Sequence, residues 1–237
     1  MRPITKTTWP QIDGKNKNYK PHTIAKNDLE DNLDHYCSYC EVVSSDLEVE
    51  HVISRNQDAS KAHDWDNFIL ACGRCNGKDN KSDKPVDENA IHFPHRNNTL
   101  LSFTYKEGGF VEVNRVLAGK SFSHATALLN LVGLDKIPGN AKYPKLNPND
   151  TRWKHRRIAW EWAKKYLTEY EAGFKSAKNI VDFAVQKGFF SVWFSVFNAH
   201  KAVRALLVKK FVGTALNCFD NNFQLIPRNP SNTEDEI

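Results

Sequence analysis

Hydrophobic and polar positions follow two different periods along this chain. Residues 47–53 alternate apolar and polar side chains with the period of a strand, and residues 65–70 lead into a second short strand. Residues 100–105 and 110–113 flank Lys-Glu-Gly-Gly and predict a β-hairpin. From about residue 150 to 170 the apolar side chains recur at i, i+3 and i+4, which predicts a long amphipathic helix.

Shorter helices are predicted in four further segments: residues 23–35, 123–133, 180–187 and 189–211. Ser123 is expected to cap the second of these helices and Gly133 to end it. Residues 1–22 contain Pro and Gly among Lys and Asn, so we expect an irregular arm without an element of its own. The acidic tail SNTEDEI is expected to fray.

Composition places the chain among ordinary globular proteins, with 40% hydrophobic and 26% charged residues. A formal charge of +5 permits a polyanionic partner without requiring one. The segment MRPITKTTWP lacks the apolar region of a signal peptide, and the longest apolar run, FFSVWFSVF, is too short to span a bilayer. We therefore expect a cytoplasmic location.

Four of the five cysteines form two C-x-x-C pairs, Cys37/Cys40 and Cys72/Cys75. In a reducing compartment, pairs at this spacing favour one shared tetrahedral zinc over disulfides or unligated core thiols. Because sulfur fills all four positions, such a zinc is structural and leaves no place for substrate. Cys218 lies in an apolar context and is interpreted as a core residue.

Between the cysteine pairs lies a carboxylate next to an imidazole, Glu50-His51. Phosphodiester hydrolysis needs an activated water and a cation near the phosphate, and a neutral imidazole accepts a proton near physiological pH. A carboxylate with an amide oxygen is a hard ligand set that suits Mg²⁺ or Mn²⁺. An ideal strand sends Glu50 and His51 to opposite faces, so a shared site requires the strand to bulge or end there.

The segments CSYCE, LEVEHVISR and DNFILACGRCNGKDNK resemble the HNH endonuclease family in its zinc-bound form, over about residues 36–82. The resemblance implies a ββα-metal core with His51 as general base and Glu50, in place of the commoner Asp, as a ligand of a catalytic Mg²⁺ or Mn²⁺. It assigns Asn76 as the other metal ligand and Asn67 as the residue that braces the loop and orients His51.

One position departs from the family pattern. The family usually has a lysine three residues after its final Asn, and here that position is Asp79, with Lys78 and Lys81 beside it. The residue that contacts phosphate is therefore left open.

A looser likeness extends over most of the chain. The motifs GLD, W-x-x-R-R and FVGTALNCFD are similar to those of HNH effectors in Septu-type and retron-associated anti-phage systems. That likeness implies a separate ABC-type ATPase as partner, and no G-x-x-x-x-G-K-[ST] loop occurs in this sequence.

We therefore predict an α+β protein in which a zinc-stapled ββα-metal core precedes a mainly α-helical C-terminal region. The predicted division is an arm at 1–22, a nuclease core at 23–95, and a β-hairpin with helices at 96–237. The predicted function is metal-dependent endonuclease activity, with DNA favoured as substrate. The alternatives are an RNA- or tRNA-cleaving effector, or a non-catalytic zinc module that binds nucleic acid or a partner protein.

Three further histidines, a basic helix face and an aromatic stretch are the remaining candidates. His63, His92 and His95 are interpreted as surface or structural residues, since no partner for the last two is visible. The helix from residue 150 carries basic residues that either follow a phosphate backbone or are simply solvated: Arg152, Lys154, Arg156, Arg157, Lys164 and Lys165. The aromatic residues of 189–197 favour core packing over a base-stacking or docking surface.

Overall fold

The amino-terminal segment contains a small hairpin in the computed structural model, which describes residues 1–237. Strands β1 (Gln11–Ile12) and β2 (Lys15–Asn16) pair antiparallel across Asp13-Gly14, and both turn residues have positive φ. Asp-Gly favours such a two-residue turn because both positions need φ above zero. The sequence interpretation missed this hairpin, since strands of two residues leave no periodic pattern.

Helix α1 (Ala25–Leu33) carries the chain towards the cysteines, as predicted. Its buried residues Ala25, Leu29 and Leu33 recur every four positions, so one stripe of the helix faces the core. Two strands and a helical turn follow: β3 (Leu47–His51), β4 (Phe68–Cys72) and α2 (Gly73–Asn76).

Strands β3 and β4 form one antiparallel pair without a bulge. Glu50 lies opposite Ile69, and His51 lies opposite Phe68 at the end of the ladder. Of the two expected outcomes, bulge or strand end, the structure has the strand end. The order strand, strand, helix is present, but α2 is only four residues long, so the detailed ββα core is not confirmed.

The predicted second hairpin follows a helical turn: α3 (Thr99–Ser102), β5 (Phe103–Lys106) and β6 (Phe110–Val113). Helix α4 (Gly119–Val132) begins before Ser123, whose hydroxyl donates to the carbonyl of Gly119, so the predicted cap was wrong. Gly133 ends α4 in the left-handed conformation, as predicted.

Four helices complete the chain: α5 (Arg152–Glu171), α6 (Ala177–Lys187), α7 (Phe190–Val196) and α8 (Lys201–Lys210). Ser176 and Asn179 form a capping box at the start of α6. Phe190, Trp193 and Phe197 are fully buried. The aromatic stretch is therefore core, not a base-stacking platform.

Two arginines of α5 are buried, which corrects the expectation of a basic face that includes them. Arg156 donates to the carbonyls of Gly109 and Leu134, and Arg152 donates to that of Gly133 and to the carboxylate of Asp150. The GLD and W-x-x-R-R motifs are thus partners in one packing contact. A buried guanidinium is stable here because its N–H groups have acceptors.

Arg152 gives a prediction about stability. Arg152→Met leaves the Asp150 carboxylate, which is 6% exposed, without its partner, so we expect the free energy of unfolding to fall by about 3–5 kcal/mol. Urea denaturation followed by circular dichroism measures the loss. Arg157→Met is the matched control, because the ion pair of Arg157 is with Glu161 on the surface, at 3.5 Å, and removing such a pair costs about 0.5 kcal/mol or less. Equal losses in the two variants contradict the prediction.

The chain ends in a docked segment, not in a frayed tail as expected. Asp235 and Ile237 are buried, and the backbone oxygen of Ile237 accepts hydrogen bonds from Asn97 and Asn229. One cluster of buried hydrophobic side chains includes residues from all three predicted segments, and the three-part division stays a prediction. No helix combines the length and apolar character needed to cross a bilayer.

Candidate active site

Four cysteine thiols converge beside the β3–β4 pair. Cys72 ends β4 and Cys75 lies in α2, whereas Cys37 and Cys40 lie in the loop after α1. The sulfur atoms lie within 4.8 Å of one another, and those of Cys40 and Cys72 are 3.6 Å apart. A tetrahedral zinc with bonds of about 2.3 Å separates its sulfurs by about 3.8 Å, so the cluster fits a zinc ion.

The backbone around Glu41 forms the turn that brings the first two sulfurs together. Glu41 has a positive φ of 66°, and its N–H donates to the carbonyl of Cys37. The N–H of Cys37 donates in turn to the carbonyl of Val42. The Glu41 carboxylate accepts hydrogen bonds from the N–H and hydroxyl of Ser191 in α7, so this turn is fixed against the C-terminal helices.

Arg152 reaches the cysteine cluster from α5. Its Nη1 lies 3.2 Å from the sulfur of Cys75 and 2.7 Å from the carbonyl of Val132. Four thiolates around a zinc ion carry excess negative charge, and a guanidinium N–H stabilises it. No local pattern indicates this contact, because Arg152 and Cys75 are 77 residues apart in the chain.

Glu50 is a buried carboxylate paired with a buried lysine. Its side chain is 2% exposed, and Nζ of Lys81 lies 3.0 Å from Oε1. The same ammonium donates to the carbonyl of His51 at 2.7 Å. Burial raises the pKa of Glu50 to about 7, and Lys81 opposes the rise.

His51 stands at the end of β3 with one ring nitrogen engaged. Nε2 lies 3.1 Å from the carbonyl oxygen of Ala62. A carbonyl only accepts, so in the neutral ring Nε2 carries the hydrogen and Nδ1 keeps a lone pair. Burial, followed by the nearby charges of His22, Arg55 and Lys81, lowers the pKa of His51 to about 4. The ring is therefore neutral at physiological pH.

Asn67 fixes the loop that supplies the partner of His51. Its Oδ1 accepts from the N–H of Ile53, and its Nδ2 donates to the carbonyls of Ile53 and Lys61. The residue after Lys61 is Ala62, whose carbonyl meets His51. Asn67 does not line the pocket itself; it is hydrogen-bonded to the loop that carries Ala62.

Glu50, His51 and Asn76 line one polar pocket of about 210 Å³. Asn76 lies at the end of α2, and its Nδ2 donates to Oε2 of Glu48 at 2.7 Å, which leaves the amide oxygen as an acceptor. Glu48 lies two positions before Glu50 in β3, and side chains two apart in a strand point to the same face. This period could have placed Glu48 near Glu50 and Asn76, but it was not used in the sequence interpretation.

Other pocket residues were missed from the sequence. The ring of His22 lies 4.7 Å from the ring of His51, and Arg55 and Asp83 also line the pocket. Arg55 is exposed. His22 lies outside the motif, in the segment interpreted as an irregular arm, and no local spacing indicates it. Lys81 was noted only as a neighbour of Asp79.

Asp79, at the position where the family usually has a lysine, is engaged outside the pocket. Asp79 pairs with Arg74 at 3.3 Å and accepts a hydrogen bond from Asn147, and it is not among the pocket residues.

Nδ1 of His63 lies 3.0 Å from the carbonyl of Tyr19, which is the structural role expected of it. His92 does have partners, contrary to the sequence interpretation.

Comparison with known families matches one part of the chain. Residues 35–82 match the HNH endonuclease family model. This HNH segment includes the cysteine cluster and every candidate catalytic residue predicted from the sequence, and the match supports a nuclease enzyme that acts on nucleic acid. A search of curated proteins found no match to the chain.

Proposed function

We propose that this chain is a metal-dependent endonuclease that hydrolyses phosphodiester bonds in nucleic acid, with His51 as its general base. The arrangement of His51 is the observation that carries the proposal. Its Nε2–H is held by the Ala62 carbonyl, which leaves the Nδ1 lone pair available in a pocket shared with Glu50 and Asn76.

In the proposed reaction, Nδ1 of His51 takes the proton of the water that attacks phosphorus. The imidazolium that forms keeps its Nε2–H bond to the carbonyl of Ala62, which stabilises the added charge. A bound phosphodiester brings negative charge close to the ring and so raises the low pKa of His51 towards the working pH. Asn67 is a positioning residue, because it acts through the loop that holds Ala62.

Glu50 and Asn76 are the proposed ligands of a catalytic Mg²⁺ or Mn²⁺. The protein contacts of Glu50, with Lys81 and Tyr39, are both made by Oε1, so Oε2 has no protein donor. Together with the Asn76 amide oxygen this is an oxygen donor set, which fits those ions and leaves positions for water. When bound, such an ion supplies positive charge against the charge that develops on the phosphate.

Arg55 is the proposed phosphate contact. It is exposed at the edge of the pocket, whereas Lys81 is buried against Glu50. A guanidinium presents paired N–H groups that match phosphate oxygens. This assignment replaces the lysine that the family pattern expects near position 79.

DNA is the proposed substrate. RNA is the alternative, because a phosphate backbone is present in both polymers and contacts to it do not distinguish them. The motifs GLD, W-x-x-R-R and FVGTALNCFD support the finer proposal that the enzyme is a cytoplasmic effector of an anti-phage system. In that proposal a separate ABC-type ATPase controls it.

The function is tested by incubating the purified protein with DNA and with RNA, alone and together with ATP and the product of its neighbouring gene. We expect internal cleavage of DNA that requires added Mg²⁺ or Mn²⁺ and stops when these ions are omitted. Preferential cleavage of RNA changes the substrate and keeps the reaction. Absence of cleavage of both polymers under every condition contradicts the proposal.

The pKa of Glu50 predicts how metal affinity depends on pH. Glu50 binds a cation only when ionised, and with a pKa of about 7 its ionised fraction falls about tenfold for each pH unit well below that value. We expect the affinity for Mn²⁺, measured by calorimetry, to fall by roughly 25-fold from pH 7.5 to pH 5.5, because the ionised fraction falls from about 0.76 to about 0.03. His51 does not contribute, because its pKa of about 4 keeps it neutral over that range. Glu50→Gln removes the dependence, and an unchanged slope in this variant contradicts the assignment.

A further inference from the structure

Two imidazoles and a carboxylate converge outside the candidate active site. His92 lies in the loop before α3, His124 lies in α4, and Asp235 lies 143 residues from His92. His92 is fully buried, Asp235 is 7% exposed, and the His124 side chain is 15% exposed. No local spacing in the sequence reveals this cluster, because its members come from three distant segments.

The donor atoms point at one another. Nε2 of His92 lies 2.9 Å from each carboxylate oxygen of Asp235, and Nδ1 of His124 lies 2.5 Å from Oδ2. The three ligand atoms all lie within 4.8 Å of one another. A tetrahedral zinc with bonds of about 2.0–2.1 Å separates its ligand atoms by about 3.4 Å, so small side-chain adjustments seat an ion.

Two of the three residues, His92 and Asp235, also have an outer hydrogen-bond partner. The hydroxyl of Ser102 lies 2.9 Å from Nδ1 of His92, and the hydroxyl of Ser121 donates to Oδ1 of Asp235 at 2.8 Å. Ligating histidines in metal sites characteristically donate their other N–H to an outer acceptor, and ligating carboxylates are themselves hydrogen-bonded. With Ser102 accepting from Nδ1, the Nε2 lone pair of His92 is directed at the cluster.

One side of the cluster opens to water. A polar cavity of about 360 Å³ is lined by His124 and Asp235 together with Arg96, Asn97 and Asn229. A site with three protein ligands keeps its fourth position for water or another small ligand, and this cavity has room for it.

We propose that His92, His124 and Asp235 form a transition-metal site of the zinc class, separate from the cysteine cluster, with a fourth position that takes water from the adjoining cavity. Two imidazoles and one carboxylate are borderline donors that suit Zn²⁺ or Co²⁺ better than Mg²⁺. An ion here cross-links the end of the chain to α4 and to the loop before α3. The proposal does not depend on nuclease activity.

Metal content tests the site directly. The wild-type protein is dialysed against Zn²⁺, freed of loose metal, and analysed by plasma mass spectrometry. We expect about two zinc ions per chain, and about one in His124→Ala and in Asp235→Asn, because the cysteine ligands are intact in both. A single zinc in the wild type overturns the proposal, as does a second zinc that both variants retain.

Cobalt gives a second measurement that does not rely on removing a ligand. Co²⁺ titrated into protein that already carries the cysteine-bound zinc is expected to give visible bands without a sulfur-to-cobalt charge-transfer band, because the new ligands are nitrogen and oxygen. Ser102→Ala is expected to weaken this binding about 10–100-fold. Ser123→Ala in the first turns of α4 is the control, since its hydroxyl donates to the carbonyl of Gly119 and contacts none of the three ligands.

The cobalt titration also covers the case in which His124→Ala fails to fold. Equal Co²⁺ affinity in Ser102→Ala and the wild type, or a charge-transfer band that marks thiolate binding, overturns the proposal. In that case the cluster is a hydrogen-bonded network in which Asp235 accepts N–H groups from both histidines.

Discussion

His51→Ala lowers the rate of nucleic-acid cleavage by about 10²–10⁴-fold, which is the contribution typical of a general base. The loss is expected because no other group is placed as His51 is, with one nitrogen held by Ala62 and the other available in the pocket. Single-turnover cleavage of labelled DNA with saturating Mg²⁺ or Mn²⁺ measures the rate of the chemical step.

A second variant separates basicity from packing. His51→Gln keeps a side-chain N–H for the Ala62 carbonyl but has no basic nitrogen, so we expect it to be as inactive as the alanine variant. Zinc content and unfolding temperature are measured in both, to show that the fold persists.

His35→Ala is the matched control for loss of a histidine. His35 lies in the same HNH segment, but its side chain is 54% exposed and its ring pairs with Glu30 at 3.5 Å, away from the pocket residues. We expect wild-type cleavage from this variant. If His51→Ala cleaves as fast as His35→Ala at saturating metal, the proposed mechanism is wrong.

Cys75→Ser removes one zinc ligand, and we expect the protein to lose its cooperative fold. Structural zinc contributes about 10–16 kcal/mol in small zinc modules, whereas a domain is stable by only about 5–15 kcal/mol in total. Cys75 is fully buried and also accepts the Arg152 contact, so its loss affects both the metal and the link to α5. Thermal unfolding by circular dichroism, with zinc content measured alongside, gives the result.

Cys218→Ala is the control for the loss of a buried thiol. Cys218 is also fully buried but lies outside the cluster. Its replacement is expected to cost about 1 kcal/mol, in the usual range for a small core truncation, and to leave zinc content unchanged. The structural zinc is contradicted if the Cys75→Ser protein keeps all its zinc and unfolds at the same temperature as the Cys218→Ala protein.

Two features of the fold could be predicted from short-range sequence patterns. The spacing of the cysteine pairs predicted that four sulfurs meet, and the apolar period predicted α5 to within two residues of its start. The same period misjudged Arg152 and Arg156, because it counts every arginine as polar. A long guanidinium is buried when carbonyls and a carboxylate surround it, and those acceptors come from distant turns.

The candidate site likewise contains residues that a local motif predicts and residues that only tertiary contacts bring together. Glu50, His51, Asn67 and Asn76 were named from a motif, and three of them line one pocket. His22 and Lys81 were not predicted as neighbours of these groups, since tertiary contacts alone bring them there. The His92 cluster was missed for the same reason.

The contact between Arg152 and Cys75 has a mechanical consequence. Helix α5 is 20 residues long, or about 30 Å, and its first residue holds the sulfur of Cys75. Cys75 is followed directly by Asn76, which lines the pocket. The amino-terminal end of α5 is therefore attached directly beside the pocket. A displacement of the helix that moves Arg152 therefore stretches or breaks a contact that lies one peptide bond from Asn76.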